Sequence, residues 1–342
     1  MIIIKLIKLL FRKTGTEKNT IQKILIIRQD NRIGNLLFIT ALMRECKKAF
    51  PEASVDVLVS NKFSAILERN PYIDNIWEYR HKEFIFMPWK LFSLIRKLRR
   101  YKYDIVIDTK DVFSFNNAFI TLASGGAKVV GYAYARAKTV HDVSVPIPSD
   151  NMYEPLRHLE LLRAIAGQMS DNGDMEVYLS ENEIERGEIL LKQNGLHPGE
   201  FVAIHCGGRG RKSYGIGRFI TVARMLFSRH GLTSIIIYGP DESDDIGNYA
   251  NEKGITFLMP VDVRQMASLI YHCRIFLAGD TGALHIAAAL GKRTVSLFIG
   301  SNWNRYTPQG SHHLAYRKLD DPPAETLVVE MVLQNLSCPT PQ

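Results

Sequence analysis

Three segments of this 342-residue chain place glycines beside charged or polar side chains, each directly after a run that resembles a buried β-strand. The first is RQDNRIGN, in which Asp30 and Asn31 precede Gly34 and Asn35. Gly34 permits a tight turn and close approach of a ligand to the backbone, and the following helix offers unpaired N–H groups at its start. The loop has the chemistry of a ligand-binding turn. The alternative is that Asp30 and Asn31 only cap the turn and bind no ligand.

The second segment, HCGGRGRK, places Gly207 and Gly208 before two arginines and Lys212. Paired glycines expose the backbone, and the cations suit phosphate oxygens. The segment lacks the spacing of a Walker phosphate-binding loop. We therefore expect an anion-binding loop, with a solvated basic loop as the alternative.

The third segment is GDTGALHIAAALG, which starts at Gly279. Asp280 or Thr281 can cap a helix whose N-terminal N–H groups would face an anionic ligand. His285, one turn into this helix, is either a ligand contact or a buried core histidine.

A fourth strand-end loop, GPDE, ends at Glu242 and is followed by Asp244 and Asp245, where acids favour a helix start. These carboxylates and the pair His312 and His313 lack the companions of a metal site. The four cysteines form no CxxC pair, which argues against zinc and disulfides and favours a reducing, cytoplasmic location. We expect neither a metal nor a cofactor.

The segments between these loops must position them. Along the chain, short β-branched runs alternate with helical patterns, and this alternation predicts an α/β fold. Two series of such units predict an N-terminal domain over 21–175 and a C-terminal domain over 176–342, after a separate tail, 1–20. The predicted strands are 24–28, 54–60, 103–109 and 128–132, then 201–206, 233–239, 255–259, 275–279 and 294–300. Parallel sheets bind ligands beyond the carboxyl ends of their strands, so the four loops are expected to face a cleft between the domains.

The composition is that of a globular protein, with 46% hydrophobic and 23% charged residues and a net charge of +8. The tail contains five Lys or Arg residues and one Glu, and its pattern predicts a basic amphipathic helix for an anionic membrane surface. A helix docked on the protein and a secretory signal are the alternatives. The chain has no apolar run long enough to span a bilayer, and no module typical of nucleic-acid binding.

The four loops together resemble glycosyltransferase family 9, the heptosyltransferases that extend the inner core of lipopolysaccharide. The most specific segment is GDTGALHIAAALGK, which is similar to the family's D-T-G-x-x-H-x-A-A-A-L-G donor-binding signature. The first loop is similar to R-x-D-x-x-G-D, and HCGGRGRK resembles H-P-G-A followed by a lysine. The resemblance covers nearly all of 23–310.

This resemblance implies a GT-B architecture, in which two Rossmann-like doubly wound domains face a cleft. It implies an inverting, metal-independent transfer of a heptose or related sugar from an ADP-sugar to a lipid-linked phosphorylated saccharide at the cytoplasmic face of the inner membrane. Lys212 matches a lysine near the donor phosphates, and Glu242 matches an acid near the nucleoside. The donor-holding residues match Asp280, Thr281 and Gly282, and His285 lies in the same signature.

Two positions depart from the family pattern. Asn35 stands where the family has an aspartate that acts as general base, and Cys206 stands where it has a proline. Because an amide cannot take up a proton at neutral pH, Asp30 or Asp108 supplies the base, the acceptor brings its own, or the protein binds without catalysis. A sugar-nucleotide epimerase or hydrolase on the same fold, and a non-catalytic donor-binding protein at the membrane, are the alternative functions.

Overall fold

The computed structural model describes residues 7, 10, 11, 13, 20–135, 137–208, 210–249 and 252–338. The chain divides into two compact units, Met1–Asp174 and Met175–Gln342. Each unit is built around one six-stranded parallel sheet with helices between the strands, which confirms the predicted α/β class.

The sheet of the first unit has the strand order β3-β2-β1-β4-β5-β6. Its strands are β1 (Lys23–Arg28), β2 (Ser54–Ser60), β3 (Asn75–Tyr79), β4 (Ile105–Asp108), β5 (Lys128–Tyr132) and β6 (Val143–Val145). Its helices are α1 (Ile33–Phe38), α2 (Thr40–Ala49), α3 (His81–Phe86), α4 (Pro88–Tyr101), α5 (Phe115–Ala123) and α6 (Glu154–Ala166).

The sheet of the second unit has the strand order β12-β11-β10-β7-β8-β9, which is the same order read from the opposite edge of the sheet. Its strands are β7 (Phe201–His205), β8 (Thr233–Ile237), β9 (Ile255–Leu258), β10 (Ile275–Gly279), β11 (Thr294–Phe298) and β12 (His313–Arg317). Its helices are α7 (Glu181–Gln193), α8 (Ile216–His230), α9 (Ser243–Ile246), α10 (Val263–Tyr271), α11 (Gly282–Ala289), α12 (Trp303–Tyr306) and α13 (Glu325–Ser337).

The central strands are apolar along their length because helices cover both faces of a parallel sheet. Ile24, Leu25, Ile26 and Ile27 of β1 are completely buried. In each sheet the strand order reverses beside the first strand, between β1 and β4 and between β7 and β10. Doubly wound sheets form a ligand-binding crevice at this reversal.

Several elements differ from the sequence prediction. The strands β3, β6 and β12 were not predicted, because β3 and β12 are half-buried edge strands without β-branched runs, NIWEY and HLAYR, and β6 has only three residues. Two separate helices follow the first loop, and they begin at Ile33 and at Thr40.

The prediction for the tail lies mostly outside the described residues, which include Ile7, Leu10, Phe11 and Lys13. Ile7 packs in a small apolar cluster with residues of α5, and the Phe11 ring contacts Phe119 edge-on at 5.7 Å. The Lys13 ammonium lies 2.9 Å from the Asp142 carboxylate. Ile7, Phe11 and Lys13 thus contact other residues of the first unit. No helix in the described part of the chain is long and apolar enough to span a membrane.

Candidate active site

One group of candidate residues lies in the first unit at the reversal beside β1, where the loop after β1 carries Asp30. Arg28 Nε lies 2.7 Å from Asp30 Oδ2, and Asn35 Nδ2 donates a hydrogen bond of 3.0 Å to the same oxygen. Lys110 Nζ, from the loop after β4, lies 3.6 Å from Asp30 Oδ1. With 21% of its side chain exposed, Asp30 is a solvent-accessible carboxylate between two cations.

The position that departs from the family pattern, Asn35, lies in α1 directly beside Asp30. Its amide donates to that carboxylate and therefore orients it. Gly34 is buried where α1 begins. The expected cap is absent: Arg32 precedes α1 and its side chain makes no capping hydrogen bond, while Asn31 Oδ1 accepts from the Ser60 hydroxyl instead.

Asp108, the other candidate base, ends β4 and is completely buried. It accepts hydrogen bonds from Asn117 Nδ2 at 2.6 Å and from the Lys110 backbone N–H at 3.0 Å, and it lies 3.0 Å from His141 Nε2. The His141 ring fits because β5 has a glycine beside it: a Cβ on Gly131 would lie 2.4 Å from the ring. Asp108 therefore belongs to a buried network, whereas Asp30 is accessible.

Sequence reasoning did not identify Lys110 as part of this site. Lys110 is 80 residues from Asp30 in the chain and lies beside it only because β1 and β4 are neighbours in the sheet. The signal in the sequence is its position directly after the predicted buried strand 103–109.

A second group of candidate residues lies in the second unit at the reversal beside β7, where Lys212 and Asp280 meet. Lys212 Nζ is 2.6 Å from Asp280 Oδ2, and His285 Nε2 lies 3.8 Å from Asp280 Oδ1. Burial favours a raised pKa for Asp280, but the contacts with His285 and Lys212 outweigh it and hold the pKa well below its usual range. Asp280 is therefore a firmly ionised carboxylate that holds a half-exposed lysine.

His285 is buried on the inner side of α11, with 4% of its side chain exposed. This burial agrees with the alternative of a core histidine. The ring nevertheless contacts Asp280, which is one of the predicted donor-holding residues.

Thr281 precedes α11 but does not cap it with its side chain, contrary to the expectation for Asp280 or Thr281. The Asp280 carboxylate contacts Lys212 instead, and Thr281 Oγ1 lies 3.4 Å from His205 Nδ1. Burial lowers the pKa of His205 to about 4, so this imidazole is neutral at pH 7. Gly282 is the first residue of the helix.

The paired glycines allow the loop after β7 to fold closely on itself. A Cβ on Gly207 would lie 2.5 Å from the His205 ring, and a Cβ on Gly208 would lie 3.2 Å from the backbone of Ser213. Lys212 ends a single 3₁₀ turn, Gly210–Lys212, in this loop. Arg209 and the side chain of Arg211 lie outside the described residues.

A cavity of about 610 Å³ opens beside this loop in the second unit. Its walls include Gly208, Ser213, Glu242 and Tyr249, with Cys206 as a further wall residue. Glu242 Oε2 accepts a hydrogen bond of 2.9 Å from the Gly239 N–H, which fixes one carboxylate oxygen. Burial raises the pKa of the Cys206 thiol to about 12, so Cys206 lines the cavity as a neutral group.

The predicted acids Asp244 and Asp245 lie in the first turn of α9. Within the part of the chain that the structure describes, no group of three His, Cys, Asp or Glu side chains is placed to hold a metal ion. The arrangement in the second unit is thus a cationic loop and a helix start next to a cavity with acidic walls.

Comparison with known proteins agrees with these features. The sequence profile of glycosyltransferase family 9 (heptosyltransferase) matches residues 91–336. Lipopolysaccharide heptosyltransferase 3 of Escherichia coli is 24% identical over 295 residues, which cover 83% of this chain and 85% of that protein.

Solved structures show the same fold. The glycosyltransferase family 9 structure from Veillonella parvula DSM 2008 superposes with a TM-score of 0.84 at 16% identity, covering 94% of this chain and 99% of that one. The E. coli heptosyltransferase WaaC, solved with ADP-2-deoxy-2-fluoro heptose, gives a TM-score of 0.73 at 15% identity, covering 92% of this chain and all of that one. The predicted GT-B fold and the family resemblance are confirmed, and the chain belongs to glycosyltransferase family 9, the heptosyltransferase family.

Proposed function

We propose that this glycosyltransferase moves a heptose, with inversion and without a metal ion, from ADP-heptose to a lipid-linked, phosphorylated saccharide of the lipopolysaccharide-core type. The observation that carries the proposal is the Lys212–Asp280 pair at the start of α11, at the reversal of the second sheet. The donor class is supported by the WaaC structure with an ADP-heptose analogue, and the acceptor class by the name of the E. coli relative.

The donor diphosphate would lie against Lys212 and the N-terminus of α11. When the bond between the anomeric carbon and the diphosphate breaks, negative charge grows on the leaving oxygen. The Lys212 ammonium and the positive end of the helix dipole stabilise that charge. Asp280 repels phosphate but orients Lys212, while the Thr281 hydroxyl and the backbone at Gly282 provide neutral contacts.

The nucleoside of the donor would occupy the cavity beside Glu242. Carboxylate oxygens accept hydrogen bonds from ribose hydroxyls, and the Tyr249 ring offers an apolar face to a base. The acidic walls disfavour phosphate there, which favours an orientation with the diphosphate at Lys212 and the nucleoside at Glu242.

Asp30 is our candidate for the general base, in preference to Asp108. Asp30 is accessible, whereas Asp108 is fully buried and is occupied by two hydrogen-bond donors and the His141 ring. In the displacement, the acceptor oxygen bonds to the anomeric carbon, its proton passes to Asp30, and ADP leaves. Lys110, whose side chain beside Asp30 is partly exposed, also suits a phosphate on the acceptor, which is the alternative base.

Steady-state kinetics with ADP-heptose and a lipopolysaccharide-core acceptor test these roles. We expect Asp30→Asn to lower kcat by roughly 10²–10⁴, the usual contribution of a positioned base. We expect Lys212→Ala to weaken donor binding and lower kcat. Full activity of Asp30→Asn would leave the acceptor phosphate or Asp108 as the base, and unchanged kinetics of Lys212→Ala would refute the donor site.

Thermal unfolding with ADP, UDP, GDP and CMP tests the donor class without an acceptor, because a ligand of the folded state raises its stability. A selective shift with ADP is expected. A selective shift with UDP would favour an epimerase or another sugar donor. Absence of any shift would argue against the donor site itself, whereas the non-catalytic alternative, for which Asn35 is the main support, predicts a shift without turnover.

We also propose a cytoplasmic location at the inner membrane, where a lipid-linked acceptor would be accessible. The basic tail supports this through Lys5 and Lys8, which would attract anionic lipids. Both lysines lie outside the described residues. Reversal of both charges to Glu is expected to weaken sedimentation with anionic vesicles, and equal sedimentation would argue that the tail has no part in it.

A further inference from the structure

An exposed apolar surface lies on α3 and α4 of the first unit, between His81 and Lys102. Four large side chains there are well exposed: Ile85 at 63%, Phe86 at 79%, Trp89 at 62% and Phe92 at 63%. Soluble proteins rarely expose such a group of neighbouring large apolar side chains unless the group binds something. We call the surface formed by these four residues and the cations around them the α3–α4 surface.

These side chains are not needed for the core of the unit. The opposite face of the same helices already supplies Phe84, Leu94, Ile95 and Leu98 to a core cluster with β1 and β4. The segment is therefore apolar on two faces, and only one of them is explained by folding.

The charge around this surface is almost entirely positive. Between residues 81 and 102 the chain has seven Lys or Arg residues and one acid, Glu83, which pairs with Lys90. Within the described part of the chain, no carboxylate lies within ion-pair distance of five of these cations: Lys82, Arg96, Lys97, Arg100 and Lys102.

The aromatic residues and the cations are arranged in sequence along the helices. Trp89, Phe92, Arg96 and Arg100 recur at three- or four-residue spacing and so share one face of α4. A cleft of about 400 Å³ at the C-terminal half of that helix is lined by Phe92, Ile95, Arg96, Arg99, Arg100 and Lys102. The Arg99 guanidinium lies over the Phe11 ring at 5.7 Å, so the described part of the tail adjoins the same helix.

We propose that the α3–α4 surface docks on a lipid bilayer that contains anionic headgroups. Aromatic and aliphatic side chains would enter the interfacial region, and the neighbouring arginines and lysines would contact lipid phosphates. The charge favours this occupant over a protein partner, since three of these five cations are lysines, which are depleted at protein interfaces, whereas anionic headgroups attract both lysine and arginine.

The position of the surface fits a lipid-linked acceptor. α3 begins two residues after the end of β3, and the carboxyl ends of all strands of a parallel sheet lie on the same side of it. Ile85 and Phe86 therefore follow the carboxyl end of a strand, as the Asp30 loop does. The inference deepens the proposed function by naming the surface that meets the membrane, and it is measured with no donor or acceptor present.

Flotation of the full-length protein with vesicles tests the proposal. We expect binding to phosphatidylcholine vesicles with 30% phosphatidylglycerol and much weaker binding to phosphatidylcholine alone. The charge variant is Arg96→Glu/Arg100→Glu, which is expected to lower the partition coefficient at least tenfold, since each cation near such a surface contributes to attraction. Its control is Arg186→Glu/Arg229→Glu in the second unit, with the same change of net charge on exposed helix positions.

The apolar part has its own variant and control. Trp89→Ser/Phe92→Ser is expected to lower the partition coefficient at least tenfold, whereas Val261→Ser, at an 83% exposed position of the second unit, should leave it unchanged. All variants should retain the melting temperature of the parent because the altered side chains are exposed. Wild-type tryptophan emission should shift to the blue on binding, and Trp89→Phe should lose most of that shift.

Three results would overturn the proposal. They are no flotation of the wild type with anionic vesicles, an equal loss in the α3–α4 variants and their controls, and a dimer in solution that dissociates with Trp89→Ser/Phe92→Ser, because a second copy would then be the occupant. Absence of flotation of the wild type, with its stabilisation by ADP intact, would refute the docking surface alone and leave the proposed transfer reaction standing.

Discussion

At the scale of single residues, the hydrogen bond between Asp30 and Asn35 follows from one departure from the family pattern. In the family pattern the position of Asn35 carries a carboxylate, whereas here its amide donates to Asp30. The neutral amide does not balance the negative charge of Asp30, but it orients the carboxylate. Arg28 and Lys110 balance the charge. The side chain at position 35 thus determines whether Asp30 is held or repelled.

We predict that Asn35→Asp destabilises the protein at neutral pH. The change replaces a hydrogen bond with two adjacent carboxylates, which is unfavourable by about 1–3 kcal/mol. Protonation of one carboxyl relieves the repulsion, so the difference in Tm from wild type should shrink as the pH falls from 7 to 4. A difference that stays constant over this range would show that the two side chains do not interact.

Asp280 gives a second prediction, for acid stability. Because its pKa in the folded state lies well below the value of about 3.9 in an unfolded chain, the ionised group stabilises the fold above that pH. This contribution is complete above about pH 5 and is lost as the pH falls through the folded-state pKa. The Tm of wild type should therefore exceed that of Asp280→Asn by the most above pH 5, and the two should converge toward pH 2.

A double-mutant cycle with Lys212→Met tests which contact stabilises the ionised Asp280. If the Lys212 contact does so, Asp280→Asn should lower the free energy of unfolding less in the Lys212→Met background than in wild type. Equal costs would assign the low pKa of Asp280 to His285 alone.

At the scale of elements, the contact between α7 and α10 depends on a residue without a side chain. A Cβ on Gly187 would lie 2.0 Å from Ser268 Oγ, and that hydroxyl donates to the Glu183 carbonyl oxygen at 2.5 Å. Arg264 of α10 also pairs with the Glu183 carboxylate at 2.6 Å. The two helices are thus joined by hydrogen bonds that a methyl group at position 187 would displace.

Gly187→Ala is predicted to lower the free energy of unfolding by about 1–3 kcal/mol, the usual cost of overpacking. Adding Ser268→Ala should recover part of the loss, because it removes the closest atom but leaves the Ser268 Cβ position, 3.1 Å away. Gly247→Ala, where a Cβ meets nothing within 4 Å, is the control and should have little effect in the same denaturant titration.

The elements also show what a sequence can predict. The central strands were predicted because burial on both faces requires continuous apolar runs, such as ILII in β1. The edge strands β3 and β12 were missed because a half-buried strand accepts residues such as Asn75, Glu78 and His313. The contact of Lys110 with Asp30 was missed because it depends on which strands are neighbours, and the sequence does not state the strand order.

At the scale of the whole molecule, the two units have separate cores and the same strand order. The last helix, α13, packs on α8 and on strands β10 to β12, all within the second unit. The proposed donor-binding residues Lys212, Glu242 and Asp280 also belong to this unit. On the proposed function, donor binding should therefore need only the second unit, whereas transfer should also need Asp30 of the first.

We predict that a fragment of residues 175–338 folds and that ADP raises its Tm. At a ligand concentration of 100 times Kd the expected stabilisation is about 2.7 kcal/mol. Lys212→Ala in the same fragment should reduce the shift. A folded fragment that ADP does not stabilise would mean that the first unit supplies part of the donor site.

The cysteines, finally, determine how the protein reacts with electrophiles and oxidants. Cys46, Cys206 and Cys273 are buried, and burial raises the pKa of each thiol, to about 12 for Cys206 and Cys273. Because a thiol reacts as its thiolate, these three are protected at neutral pH, while Cys338, at the end of α13, is accessible. A maleimide should therefore modify the native chain once, which provides a site for a fluorophore on the second unit without any engineered cysteine.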